Sequence, residues 1–263
     1  MTGDACGRRI CLPCIDSTNN WMKQRVHTLE HGTVCYTVNQ TAGRGRLGRR
    51  WTAADGKSLA MSMLLLPECD VAVLPAVSAV FGLAATEVLR EITGLDLKIK
   101  WPNDIVCAVD DNRAKICGIL CDLCLDPVAI IAGIGINLYQ TKADFAGDDL
   151  PYAGSLTSLG VNVPSVDTLT AKIQTGFLPL YDKFICGGFS PLRSRYEILC
   201  DTIGKNVRVH APVGGAYTEG TAIGIDDNGH LIVSGPDGVR AVDSGEVTLS
   251  PPDNSQYRGS GCG

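Results

Sequence analysis

"QTAGRGRLGRRW", residues 40–51, sets three glycines and four arginines in twelve positions. Gly43, Gly45 and Gly48 satisfy G-x-G-x-x-G, the fingerprint of dinucleotide-binding loops. Such a loop must leave a strand and enter a helix, because the helix N-terminus holds the pyrophosphate. The preceding "TVCYTVNQ" (33–40) is β-branched and reads as a strand. On the far side stand Gly56 and then "KSLAMSMLLL" (57–66), a second strand-like run closed by Pro67. The order is strand, loop, strand, and the dinucleotide reading fails. A kinase glycine-rich loop shares that order, but it calls for an apolar residue where Arg50 stands, and H-R-D and D-F-G are absent. The remaining reading is a loop that grips anions. Its glycines let backbone N–H groups approach closely. Arg44, Arg46, Arg49 and Arg50 supply forked donors suited to carboxylate and phosphate. Four like charges predict a loop that is mobile until it closes over anions. A solvated basic loop is the plain alternative.

Outward from the loop, "DSTN" (16–19) offers N-caps to a helix running through "NWMKQRVH". Residues 73–92 are apolar at helical spacing and predict a long, largely buried helix. "LDLKIKW" (95–101) alternates, with Leu95, Leu97, Ile99 and Trp101 on one face. Three strands come next, "IVCAV", "AKICGILCDLCL" and "VAIIAGIGINL", separated by the turn sequences "DDNR" and "DP". Helical patterns occupy 165–185 and 190–200, the second opened by Ser190 as cap and Pro191 at the first helical position. After Ile203 the texture changes to short β runs and glycine-rich turns, which predict a small barrel. The expected fold class is α+β: a mixed, mostly antiparallel sheet flanked by helices over residues 1–200, then an SH3-like β-barrel over 201–252 and a disordered tail over 253–263.

Bulk properties narrow the partners. The 263 residues carry a net charge of −5 and 6% aromatics, which argues against a nucleic-acid surface. The N-terminus has no apolar segment of a signal peptide, and no run is long enough to cross a bilayer. A cytoplasmic protein with reduced thiols is expected. Twelve cysteines include two C-x-x-C pairs, Cys11/Cys14 and Cys121/Cys124, open to a zinc or redox reading. The pairs lie far apart without a flanking histidine, and in a strand positions i and i+3 face opposite ways. Core-filling thiols are the simpler expectation, and no metal site is assigned from a direct motif.

Three further stretches carry chemistry. "KWPND" gathers Lys100, Asn103 and Asp104 at a strand end. "KICGIL" puts Lys115 alone in an apolar strand, where it must snorkel or face a polar pocket. "GIGINL" closes a strand with two glycines and Asn137. Each singly is explicable as a turn, an edge lysine or a tight strand end.

Together and in this order, G-R-G-R-x-G-R-x-W (43–51), K-W-P-N-D (100–104), K-x-x-G-I-L (115–120) and G-x-G-I-N (133–137) resemble the biotin–protein ligases, or holocarboxylase synthetases. "DSTN" and the closing "SGEVTL" fit as well, so the likeness spans about residues 15–252. It implies a class II synthetase-like catalytic fold. It also implies a two-step reaction using ATP and Mg²⁺: biotin is activated to biotinyl-5′-AMP, then passed to a lysine of a biotin carboxyl carrier protein or domain. By motif position, Ser17, Thr18, Asn19 and Gln40 are expected at the biotin ureido ring, and Arg44, Gly45 and Arg46 at biotin and the phosphoryl bridge. Trp51 is assigned to the adenine side, Lys100 and Asn103 to the phosphates and Mg²⁺, and Asn137 to the nucleotide. Lys115 is expected to be the catalytic lysine, binding the biotin carboxylate and the α-phosphate oxygens, with Arg44 also assigned a catalytic role; Asp104 is expected to orient the acceptor lysine or the metal, a turn cap being the plain alternative. Family members are often dimers through the sheet, which leaves a homodimer open without fixing the oligomeric state. Fifteen residues precede "DSTN", too few for the DNA-binding domain of many relatives, so DNA repression is not expected. A lipoate–protein ligase is the nearest rival, and a nucleic-acid-binding module using the Arg/Gly loop is a distant one.

Overall fold

The computed structural model describes residues 7–52, 56–67, 76–109, 112–146, 152–211 and 216–249. The tail expected over 253–263 and the first residues of the helix expected from 73 lie outside them. Seven strands form one sheet: β1 (Arg9–Cys11), β2 (Val34–Thr37), β3 (Ser58–Leu65), β4 (Leu97–Lys100), β5 (Asp104–Val109), β6 (Asn112–Leu125) and β7 (Val128–Asn137). Their order is β1-β2-β3-β7-β6-β5-β4, with β1 and β2 parallel and every other pair antiparallel. The mixed, mostly antiparallel sheet is therefore as expected.

Helices cover both faces. The long helix α2 (Val77–Thr93) packs its apolar stripe on one face, backed by α4 (Val166–Gly187) and α5 (Ser190–Leu199), which follow the single-turn helix α3 (Lys142–Ala146) in the chain. Gly94, at φ 71°, ends α2 in the left-handed conformation and returns its N–H to Arg90 O. The short α1 (Thr18–Lys23) lies on the other face over Cys35, Leu64, Ala129 and Ile131. Its cap is Ser17, whose hydroxyl accepts from Asn20 N. The cap of α5 falls on Phe189, one residue before the expected Ser190. With helices on both faces, β3 is buried along its whole length, which is why it reads as a continuous apolar run.

Two register details build the site. One rung of the sheet runs Asp104–Gly118–Gly135–Ala60 across four strands, a floor with almost no side chains. Beside it the β5–β6 ladder is irregular. Ile105 faces Cys117 but Val106 faces Lys115, so Ile116 is the extra residue of a bulge. Ile105 and Cys117 belong to the α2-side core, whereas Val106 and Lys115 line the open face. The bulge therefore turns Lys115 away from the core.

The C-terminal strands β8 (Asn206–His210), β9 (Tyr217–Ile225), β10 (Leu231–Gly235), β11 (Gly238–Val242) and β12 (Glu246–Leu249) form an antiparallel sheet ordered β11-β10-β9-β8-β12. The expected barrel is not closed among the described residues: β11 and β12 remain its two edges. Instead of meeting β11, β12 presents Glu246, Val247 and Thr248 to the cavity of the larger sheet.

Trp101 ties the two sheets together. Its ring is only 2% exposed. Its indole N–H donates to Gly229 O at 3.1 Å and its backbone N–H to Thr202 Oγ1 at 3.0 Å. Asp201 N donates to Ile99 O at 2.8 Å alongside. Among the described residues no helix is long and apolar enough to cross a membrane.

Candidate active site

The thirteen residues singled out from the sequence all line one cavity of about 840 Å³ on the α1 face of the large sheet. At one end the lining side chains of Ser17, Thr18, Asn19 and Gln40 are neutral, with the Asp122 carboxylate beside them. Gln40 Oε1 accepts from Thr18 N at 2.9 Å and from Thr18 Oγ1 at 3.3 Å. The Ser62 hydroxyl lies 2.6 Å from Asn19 Oδ1 and 2.7 Å from Thr18 Oγ1. Asn19 Nδ2 donates to Leu120 O at 3.1 Å and to Asp122 Oδ2 at 2.9 Å. Gly133 is required beneath it, because a Cβ there would overlap the Asn19 amide.

The middle is the glycine floor. The Trp51 ring lies directly on it, so that a Cβ at Gly135 would overlap the indole and one at Gly118 would come within 2.9 Å. Trp51 Nε1 is buried without a hydrogen-bond partner among the described residues. Such a donor is rare in a folded interior and suits a site that awaits an acceptor.

The other end is charged. Lys115 Nζ stands 2.7 Å from Asp104 Oδ1 and 5.8 Å from the Trp51 ring centroid, with its side chain 37% exposed. Its backbone is clamped from both sides: Lys115 N donates to Tyr152 O at 2.6 Å, and Lys115 O accepts from Gly154 N at 2.9 Å. Asn137 Nδ2 reaches the same carbonyl at 3.3 Å and Gly154 O at 3.0 Å, so its amide donors are spent on framing the lysine.

The Arg/Gly loop roofs the cavity, and each arginine has a partner. Arg44 Nη1 donates to Asn20 Oδ1 and Asp122 Oδ2, both at 3.3 Å. Arg46 Nη1 donates to Asn103 Oδ1 at 3.0 Å and Gly245 O at 3.3 Å. Burial lowers the Arg46 pKa, opposed by the charges of Asp104 and Glu246. Arg49 forms an ion pair with Glu246 at 2.5 Å, and Arg50 donates to Thr41 O at 3.0 Å. Arg44, Arg49 and Arg50 remain exposed, so the outer side of the roof is solvated even though each arginine has a protein partner. Leu47, at φ 55°, turns the exposed apex in a conformation L-residues seldom adopt.

Known proteins share this outline. The profile of the Biotin/lipoate A/B protein ligase family matches residues 11–137, and that of the biotin protein ligase C-terminal domain matches 202–250. A biotin–[acetyl-CoA-carboxylase] ligase of Paracoccus denitrificans is 30% identical over 240 residues, covering 88% of this chain and 96% of its own length. The chain belongs to the biotin–protein ligase family. The bifunctional ligase/repressor BirA of Bacillus subtilis is 31% identical over 221 residues, 83% of this chain; the match spans 66% of that protein's length. The biotin protein ligase of Aquifex aeolicus, solved in complex with biotin and ATP, superposes with a TM-score of 0.78 at 28% identity, over 92% of this chain and 98% of that one.

The cysteines fall into two groups. Cys121 packs on the α2-side core and Cys124 on the α1-side core, the opposite faces expected of i and i+3. Cys11 and Cys14 are exposed and do not fill the core. Burial pushes the Cys35 and Cys121 thiols up to about 12, which makes them inert. Among the described residues no cluster of three or more His, Cys, Asp or Glu could hold a metal ion.

Sequence reasoning passed over Asp122, Ser62 and the 152–154 clamp. Asp122 carried a signal: a lone carboxylate in an apolar strand merits the same question as Lys115. Glu246 stood out only as a letter of "SGEVTL", yet it latches the roof. Its carboxyl is held below the usual range, first by the Arg49 hydrogen bond and also by the Arg49, Lys100 and His210 charges. The latch therefore contributes above the unfolded carboxyl pKa and is lost as pH falls through the depressed folded value. It is also exposed enough for salt to weaken it. Glu246→Gln is expected to speed tryptic cleavage within the loop several-fold at low salt, with the difference from the parent shrinking as salt rises. Equal cleavage at low salt would mean the pair does not hold the roof.

Proposed function

We propose that this chain activates biotin with ATP and transfers it to a lysine of a carboxylase carrier domain. The observation that carries this reading is the two-ended cavity. Neutral hydrogen-bonding side chains at the α1 end match a ureido ring. Lys115 and Arg46 at the other end, with Arg44 anchored on the α1 side, match a carboxylate meeting a triphosphate. Both reactants are negative, and the work lies in positioning and charge neutralisation.

In the first step a biotin carboxylate oxygen attacks the α-phosphorus, the bond to the bridging oxygen breaks, and pyrophosphate leaves. Lys115 sits where it can hold the carboxylate and the α-phosphate oxygens together. Arg46 and Lys100 face the departing phosphates, and Trp51 flanks the adenine. In the second step the acceptor amine attacks the acyl carbon and AMP leaves; Asp104, beside Lys115, orients the incoming amine. Magnesium fits this donor set only as a partner of ATP: Asn103 and Asp104 would face it, and the phosphate oxygens would complete the coordination. When bound, it neutralises charge on the leaving pyrophosphate. A cytoplasmic setting suits an ATP-dependent reaction and the nine free thiols of the described residues.

The test is transfer of biotin to a biotin-carrier domain, scored by intact mass, with lipoate offered in parallel. An ATP-dependent gain of one biotinyl group supports the reading. A lipoyl gain would move the chain to the lipoate ligases, and no gain together with no pyrophosphate release would overturn adenylation.

A further inference from the structure

Asp122 lies on β6 beside the cavity-lining residues Asn19 and Arg44, outside every motif that carries the family resemblance. Its place on β6 is opposite Ile131, two residues beyond the Leu120–Gly133 pair and on the same face. The side chain is 15% exposed. One carboxylate oxygen, Oδ2, gathers three donors from two other segments: Asn19 Nδ2 at 2.9 Å, Lys23 Nζ at 3.0 Å and Arg44 Nη1 at 3.3 Å. Asn19 and Lys23 belong to α1, and Arg44 opens the loop that roofs the cavity.

We infer that Asp122 is a positioning residue for biotin, bracing α1 and the first arginine of the loop against the sheet; this rests on the ligase reading proposed for the chain. The hydrogen-bond inventory supports it. With Leu120 O, Asp122 uses both amide hydrogens of Asn19, while Ser62 engages Asn19 Oδ1. The amide orientation is thereby fixed, and with it the neighbouring Thr18 that meets Gln40. Both amide hydrogens of Asn19 are used by the protein, while Oδ1 keeps a second lone pair beside the Ser62 contact. On Arg44, Asp122 and Asn20 both take Nη1, which leaves Nη2 and Nε without a protein partner among the described residues. A guanidinium has five donors, so one edge can be anchored while the other faces a carboxylate. The anchor also supplies the countercharge that lets two cations sit at the biotin end before any ligand arrives.

The brace connects to the biotin end and has no contact with the Asn103, Lys100 and Asn137 end. Asp122→Asn keeps the shape and removes the charge. The expected result is about tenfold weaker biotin binding by calorimetry and a similar rise in KM for biotin, with KM for ATP changed less than about twofold. Asp122→Glu, which keeps the carboxylate, restores most of the affinity. Lys23→Met, which removes only the outer partner, leaves biotin binding near that of the parent chain. Tryptic cleavage after Arg44 rises several-fold in Asp122→Asn, a readout independent of ligand. Parent-like biotin affinity in Asp122→Asn overturns the inference. So does equal loss for biotin and ATP, which is the mark of general unfolding, and so does tighter binding, which would mean that Asp122 withholds Arg44 from the ligand. A parent chain that binds no biotin and releases no pyrophosphate overturns the ligase reading itself, and is recognised before any variant is compared.

Discussion

Lys115→Ala is expected to lower biotinyl-adenylate formation by about 10²- to 10³-fold, the usual effect of removing a preorganised charge from the point where negative charge accumulates. The fold should survive. Lys115 reaches out of a bulge onto the open face, its side chain packs on the cavity side, and its backbone bonds to Tyr152, Gly154 and Asn137 persist without the ammonium. Its partner Asp104 would keep a negative charge in the cavity with the cation gone, so part of the loss would be repulsion of the incoming anions. Lys115→Arg separates the two contributions. It keeps the charge but replaces a compact ammonium beside Asp104 and the indole with a planar fork, and is expected to recover affinity more than rate. Pyrophosphate release under single-turnover conditions reads the step directly. A rate in Lys115→Ala within about tenfold of the parent would move the catalytic assignment to the loop arginines.

Trp101→Ala should be the most damaging single change to stability. A fully buried indole lost to alanine costs about 3–5 kcal/mol. This one also leaves Gly229 O without its donor. At roughly 2–4 °C per kcal/mol for a chain of this size, the melting midpoint should fall by about 10 °C. The two sheets would keep the Ile99–Asp201 and Trp101 N–Thr202 bonds and the loop contacts of Arg46 with Gly245 O and Arg49 with Glu246, but without the indole between them they are expected to melt in separate steps. Trp101→Phe keeps most of the volume and loses the hydrogen bond, and should fall between. Calorimetry showing an unchanged single transition in Trp101→Ala would mean that the sheets are joined elsewhere.

The sequence was legible where periodicity and burial coincide. "LDLKIKW" alternates because only one face of β4 meets α2, and Leu97, Ile99 and Trp101 are buried as the pattern requires. The continuous apolar run of β3 was recognisable as a strand for the opposite reason, since both faces are covered. Lys115 was conspicuous as a charge in an apolar strand, but the bulge that turns it outward was not readable. An extra residue is defined only against the partner strand, and "AKICGIL" has the same letters in either register. The open C-terminal sheet was missed for a similar reason. Short β runs with glycine turns describe both a closed barrel and a five-stranded sheet, and the choice depends on β12 engaging the cavity through residues such as Glu246. Asp122 could have been found by applying to acids the question put to Lys115. The 152–154 clamp carried no local signal at all, because its contribution to the site is made through backbone groups.

The floor running Asp104–Gly118–Gly135–Ala60 has a consequence for altering what this pocket accepts. A pocket lined by large side chains can be enlarged by trimming them. Here the centre of the floor is backbone, with a single methyl at Ala60, and nothing remains to be shaved away. Substitution can only raise it. Room for a bulkier acyl group must therefore be taken from the Trp51 ring that lies on the floor or from the end wall at Leu120, and redesign of the strands beneath can serve only to exclude.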